Sequence, residues 1–113
     1  MLRTAHKILT GIIIALGVLH VLMTFHDYDS FSVRALWFAS AGVAIILAGF
    51  LNTILLRDVS KDVVVWTLCI ITNLIFAVMF VLALFVLPQP QVFVGAGLFI
   101  AATILSVIKP RGR

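Results

Sequence analysis

LWFASAGVAIILAGFLN, residues Leu36 to Asn52, decides how this chain folds. The stretch carries no charge, and as a helix it is long enough to run most of the way through a bilayer. Ala35, Ala39, Gly42, Ile46, Gly49 and Thr53 follow one another at alternating spacings of four and three, and all but Ile46 are small. On a helix these positions form one near-continuous stripe. Small side chains let neighbouring backbones come close, and close packing is what drives helices together in lipid. The stretch is therefore expected to be the helix against which the others pack.

The composition points to lipid as the solvent. Of 113 residues, 64% are hydrophobic and only 11% charged, with a mean hydropathy of +1.29. Soluble domains average about 45–50% apolar and about 25% charged, and a small domain buries only part of the surface it carries. The expected fold is all-α: an integral membrane, up-down-up-down four-helix bundle, a single transmembrane domain over residues 1–113. The one cysteine, Cys69, excludes an intramolecular disulfide and any multi-cysteine metal site, and in its apolar run it reads as an inert packing group. The net charge of +4 comes from cations at the ends of apolar runs. Such cations suit lipid headgroups better than nucleic acid.

Four windows lack Asp, Glu, Lys and Arg: Ile8–Phe25, Ala35–Leu56, Val63–Leu87 and Val92–Ile108, of 18, 22, 25 and 17 residues. A spanning helix needs about 17–25, and no segment shows the in–out alternation of a barrel strand. The helices are expected over about residues 5–26, 33–56, 62–87 and 91–108. Arg3 and Lys7 precede the first window as they would in a signal peptide. No small-x-small cleavage pattern follows, so the helix is expected to be retained.

Asp29, Ser30 or Ser32 can cap the second helix, and Ser60 or Asp62 the third. Pro88-Gln89-Pro90-Gln91 interrupts the chain before the fourth. Such short connections favour antiparallel neighbours. Arg3, Lys7, Arg57, Lys61, Lys109, Arg111 and Arg113 then fall on one side and Arg34 alone on the other. Basic residues in short loops stay inside. Both termini are thus expected to be cytoplasmic, in the cell inner (plasma) membrane.

Function is sought among polar residues within the apolar windows, because each must find a partner there. A depth ladder built on the window midpoints puts His20, Thr24, Trp37 and Ser40 in an outer layer. It puts Thr10, Asn52, Thr67 and Ser106 in an inner layer, with Asn73 between. His20 is the sharpest candidate: imidazole can bind a metal or haem or move protons. The alternative is a neutral ring bonded to Ser40, to a backbone carbonyl or to another subunit. The other histidines are poorly placed to join it. His26 lies on a different face, and His6 is about 20 Å away at the cytoplasmic end by the helix rise. No metal and no cofactor is expected. Asn52 and Asn73 read as interhelical glue, or as contacts for a translocated polar substrate. Tyr28, Trp37 and Trp66 read as interfacial anchors, with Trp37 the best placed to line a pocket. His26-Asp27-Tyr28-Asp29 holds groups that bind divalent ions, though turn and cap chemistry accounts for them.

Small multidrug transporters of the four-helix type are similar in size and helix count, and they depend on a glutamate embedded in helix 1. No ionisable carboxylate, lysine or arginine stands in any of the four windows here. Small fluoride channels share the same format, but their glycine-rich, arginine-containing pattern is not found. Catalytic triads, paired carboxylates, phosphate-binding glycine loops and CxxC pairs are absent too.

The first reading is a non-enzymatic packing, interaction or accessory protein that contacts lipid, a second copy of itself or another membrane protein. Its interfaces would be the small-residue faces Gly42–Gly49 and Gly97–Ala101. The second is a small dimeric transporter or channel with His20, Asn52 and Asn73 along the path. The third is a binder of an apolar ligand, a quinone or lipid, near His20 and Trp37; the candidate binding residues across these readings are His20, Trp37, Ser40, Asn52 and Asn73.

Overall fold

The computed structural model describes residues 2–27, 30, 32–57 and 62–108. Four helices follow in order: α1 (Leu2–Asp27), α2 (Val33–Arg57), α3 (Val63–Leu84) and α4 (Pro90–Ile108). There is no strand among the described residues. All four helices are long and apolar enough to cross a membrane.

Local chemistry accounts for most of the boundaries. Ser32 Oγ accepts the Ala35 amide at 3.2 Å, and Asp62 Oδ1 accepts that of Val64 at 2.8 Å. Each satisfies an amide that the first helical turn leaves unpaired. α3 stops at Leu84, short of the expected Leu87. Pro88 is the reason: a proline ring collides with the helical carbonyl four residues before it, here that of Leu84. Leu87 then closes a turn onto the Ala83 carbonyl at 2.7 Å. Pro90 opens α4, where a missing N–H costs nothing. At the other end of the chain α1 begins at Leu2, so Arg3, His6 and Lys7 are helical. Tyr28, Asp29, Ser60, Lys61, Lys109, Arg111 and Arg113, with the anchor, cap, metal and charge roles expected of them, lie outside the described residues.

The helices pair unequally. α1 packs chiefly on α2 and α3 on α4, with lighter contacts between α2 and α3 and between α1 and α4. α2 is therefore half of one tight pair and not the hub of all four. Its small-residue stripe faces α1. A Cβ on Gly42 would stand 2.7 Å from Val21 Cγ2 and 3.0 Å from the Gly17 carbonyl oxygen. One on Gly49 would run into Ile14.

On α4 the inward line is Gly95, Phe99, Ala102 and Ser106, with Gly95 seating the Phe80 ring. Gly97 is exposed, with nothing within 4 Å of where its Cβ would be. The expected Gly97–Ala101 face is thus not a contact within the bundle, because α4 is rotated to present the neighbouring stripe.

The core joins Ile13, Ile45, Ala48, Ala77, Phe99 and Ala102, one or two residues from each helix. Phe99 stacks between Phe76 and Phe80, with ring centroids at 4.8 and 5.6 Å. Outside it the order of a water-soluble protein is inverted. Leu22, Phe50, Leu74 and Ile104 point outward, while alanines, glycines and amides point in. An apolar exterior on this scale suits lipid, not water.

Candidate functional site

The buried face of α1 runs His6, Thr10, Ile13, Gly17, at helical spacings of four, three and four. α2 contributes Asn52, one turn beyond Ala48, whose carbonyl accepts from Asn52 Nδ2 at 2.9 Å. α3 contributes Cys69 and Asn73 on one face, and α4 contributes Ser106 one turn beyond Ala102. His6, Asn52, Cys69, Asn73 and Ser106 meet in a single polar network that draws on all four helices.

Its centre is a reciprocal amide pair. Asn52 Nδ2 donates to Asn73 Oδ1 and Asn73 Nδ2 donates back to Asn52 Oδ1, each at 2.8 Å. Asn73 Nδ2 also donates to Ser106 Oγ at 2.9 Å, and Ser106 Oγ donates to the Ala102 carbonyl at 2.7 Å. His6 Nε2 lies 3.0 Å from Asn52 Oδ1. That oxygen can only accept, so the imidazole presents its N–H there. The Cys69 thiol donates to the same oxygen at 3.4 Å. Trp66 Nε1 donates to the Ser106 carbonyl at 3.0 Å. Asn52, Asn73, Cys69 and Ser106 are 0% exposed and His6 only 2%. Polar groups this enclosed are costly unless paired, and here they are paired with one another.

Several members differ from what the sequence suggests. His6 stands near the start of α1, away from His20, and is also part of the network, a role not expected of it. Helical periodicity could have found it, since the helix expected over residues 5–26 already puts His6 and Thr10 on one face with Ile13. Asn73 and Asn52 are in direct contact, although the depth ladder separates them. The ladder measures height at the backbone and centres all four helices on one plane. Asparagine side chains tilt toward the start of their own helix, so two of them on different helices can lean together. Cys69 is a bonded member of the network as well as a packing group. Trp66, expected as an interfacial anchor, turns its indole N–H inward to the Ser106 carbonyl, and Thr67 faces outward.

His20, Trp37 and Ser40 are not brought together. Trp37 is 71% exposed and Ser40 is exposed. His20 stacks on Phe38 with ring centroids 3.9 Å apart and planes at 14°. Its backbone carbonyl accepts from Thr24 Oγ1 at 3.3 Å. Its Nε2 is enclosed without a hydrogen-bond partner, as is Thr10 Oγ1. Beside the imidazole lies a cleft of about 200 Å³ walled by Leu16, Leu19, His20, Met23, Phe38 and Gln91. Asn52 and Asn73 do not reach it.

No group of three or more His, Cys, Asp or Glu that could hold a metal ion occurs among the described residues. The network is a set of hydrogen-bond donors and acceptors, suited to holding helices in register. Comparison with protein family models, with curated proteins and with solved structures finds no match for this chain.

Proposed function

We propose that this chain is a multi-pass protein of the inner (plasma) membrane that works without catalysis. It would act through contacts with lipid, a second copy or another membrane protein, and not as a conduit. The observation that carries this reading is the closure of the polar core. Asn52, Asn73 and Ser106 are 0% exposed and spend their hydrogen bonds on one another. A path for a polar solute would need such groups turned toward water.

An up-down-up-down order with both termini cytoplasmic fits the same contacts. His6, early in α1, meets Asn52, late in α2; Trp66, early in α3, meets Ser106, late in α4. In that order Asn52 and Asn73 lean toward each other, each tilting to the start of its own helix. The bias of Lys and Arg toward that end sets the orientation.

The native thiol tests the closed core directly. Cys69 is the chain's one cysteine and lies within the network. In intact membrane vesicles a small water-soluble thiosulfonate is expected to leave it unmodified, with full labelling after denaturation in SDS. Rapid labelling in the native membrane would mean that water reaches Asn52 and Asn73, and the transporter reading would replace this one.

A second reading rests on the cleft beside His20. Its wall is apolar apart from Gln91 and the imidazole, whose enclosed Nε2 has no partner. A molecule with an apolar body and one polar group, such as a quinone ring, suits that lining. A short-chain quinone analogue is expected to bind the purified protein saturably, and Met23→Trp, which fills the cleft, should abolish the binding. Equal binding by the variant would remove the cleft as the site.

A further inference from the structure

A groove of about 470 Å³ runs between α1 and α2, lined by Arg3, Lys7, Gly11, Ile14, Thr53, Leu56 and Arg57. Its chemistry is graded along the helix axis. Arg3, Lys7 and Arg57, all exposed, ring the end where α1 begins and α2 finishes. Beyond them, toward the middle of the helices, come Gly11 and Ile14 on α1 and Thr53 on α2, with Leu56 beside Arg57. No carboxylate is among the described lining residues, which carry three positive charges. The spacings put Arg3, Lys7, Gly11 and Ile14 on one face of α1, and Thr53, Leu56 and Arg57 on one face of α2. Gly11 opens the floor, since nothing lies within 4 Å of where its Cβ would be. Thr53 Oγ1 donates to the Gly49 carbonyl at 3.0 Å, which leaves its oxygen lone pairs at the groove as acceptors only.

We propose that Arg3, Lys7 and Arg57 hold the headgroup phosphate of an anionic phospholipid in this groove. Its glycerol and upper acyl chain lie along Gly11, Ile14 and Leu56. Charge complementarity selects the headgroup, because zwitterionic lipid offers no net negative charge to three cations. The grading from cations to apolar floor selects a lipid over a free anion, because a soluble phosphate makes no use of the apolar part. Three cations favour a headgroup with two phosphates over one with a single phosphate. The site requires only that the chain lie in a bilayer and does not depend on how the polar core acts. Cys69 labelling tests the core and lipid binding tests the groove, so either can fail without the other.

The test is native mass spectrometry of the delipidated full chain in a neutral detergent, titrated separately with four probes. These are phosphatidylcholine, phosphatidylglycerol, diphosphatidylglycerol and inorganic phosphate. One molecule of diphosphatidylglycerol is expected to bind most tightly, then phosphatidylglycerol, with phosphatidylcholine and inorganic phosphate much weaker. Each of Arg3→Gln, Lys7→Gln and Arg57→Gln should weaken binding about fivefold, while Arg34→Gln, which removes the same charge elsewhere, leaves it unchanged. Gly11→Leu keeps every charge but fills the floor, and should weaken binding at least as much as the loss of one cation. Equal losses from Arg34→Gln and Arg57→Gln, with none from Gly11→Leu, would show diffuse surface attraction and overturn the site. Binding of inorganic phosphate as tight as that of the lipids would overturn the lipid as its occupant.

Discussion

Leucine in place of Asn73, which keeps the number and branching of the side-chain heavy atoms, is expected to destabilise the folded bundle by about 1–2 kcal/mol. The substitution removes both bonds of the reciprocal amide pair and the bond to Ser106 Oγ. Leaving a buried polar group unpaired costs about 1–3 kcal/mol in water-soluble proteins. Two features pull the figure down. Asn52 Nδ2 keeps the Ala48 carbonyl and Asn52 Oδ1 keeps His6, so neither atom is orphaned. Separated helices in lipid also find other partners, which is why interhelical hydrogen bonds measured there average about 0.6 kcal/mol.

The sharper signature is coupling. Once one amide is gone the other has lost its principal partner, so Asn52→Leu and Asn73→Leu together should cost less than the sum of the two. The expected coupling is about 1 kcal/mol. Unfolding in mixed detergent and SDS, followed by helical circular dichroism for all four members of the cycle, measures it. Strictly additive effects would mean that the amides do not act as a unit.

Alanine at Gly42 is expected to loosen the α1–α2 pair, and leucine there to separate it. The new Cβ would lie 2.7 Å from Val21 Cγ2 and 3.0 Å from both the Gly17 oxygen and the Val21 nitrogen. Val21 is β-branched, with little rotameric freedom in a helix, and the other two atoms are backbone. The contact can be relieved only by moving one helix away from the other. Gly17 meets the same limit from the opposite side, since its Cβ would lie 2.9 Å from Ile46 N.

Overpacking of this kind costs about 1–3 kcal/mol, against which the better helix propensity of alanine returns at most about 1 kcal/mol. Gly97→Ala is the control. Nothing lies within 4 Å of its Cβ position, so the propensity gain stands alone and stability should hold or rise slightly. Thermal melting in detergent compares the three variants. Equal melting temperatures for Gly42→Ala and Gly97→Ala would contradict the close approach of α1 and α2.

Much of the architecture is written in local sequence, because its causes are local. Four uncharged windows mark the four helices, Ser32 and Asp62 mark two starts, and Pro88 limits α3 by colliding with its own preceding turn. The small-residue stripe of α2 marks the face that another helix approaches. Even the inner polar layer is partly visible, since Asn52 and Ser106 fall at one level by residue count and do belong to one network.

The rotation of each helix about its own axis is not legible in the same way. In water the apolar face of a helix announces which side turns inward. Here nearly every face is apolar and lipid tolerates all of them, so patterning leaves the inward side undetermined. That choice came from packing: Gly17 against Gly42, and Phe80 against Gly95. Packing therefore decided that His6, Cys69 and Trp66 join Asn52, Asn73 and Ser106, and that Trp37, Ser40 and Gly97 face outward. The amino-acid order by itself determined four helices suited to lipid and, to within three residues, where they begin and end. Only the tertiary structure decided which polar groups meet, because in an apolar solvent that depends on which backbones can come closest.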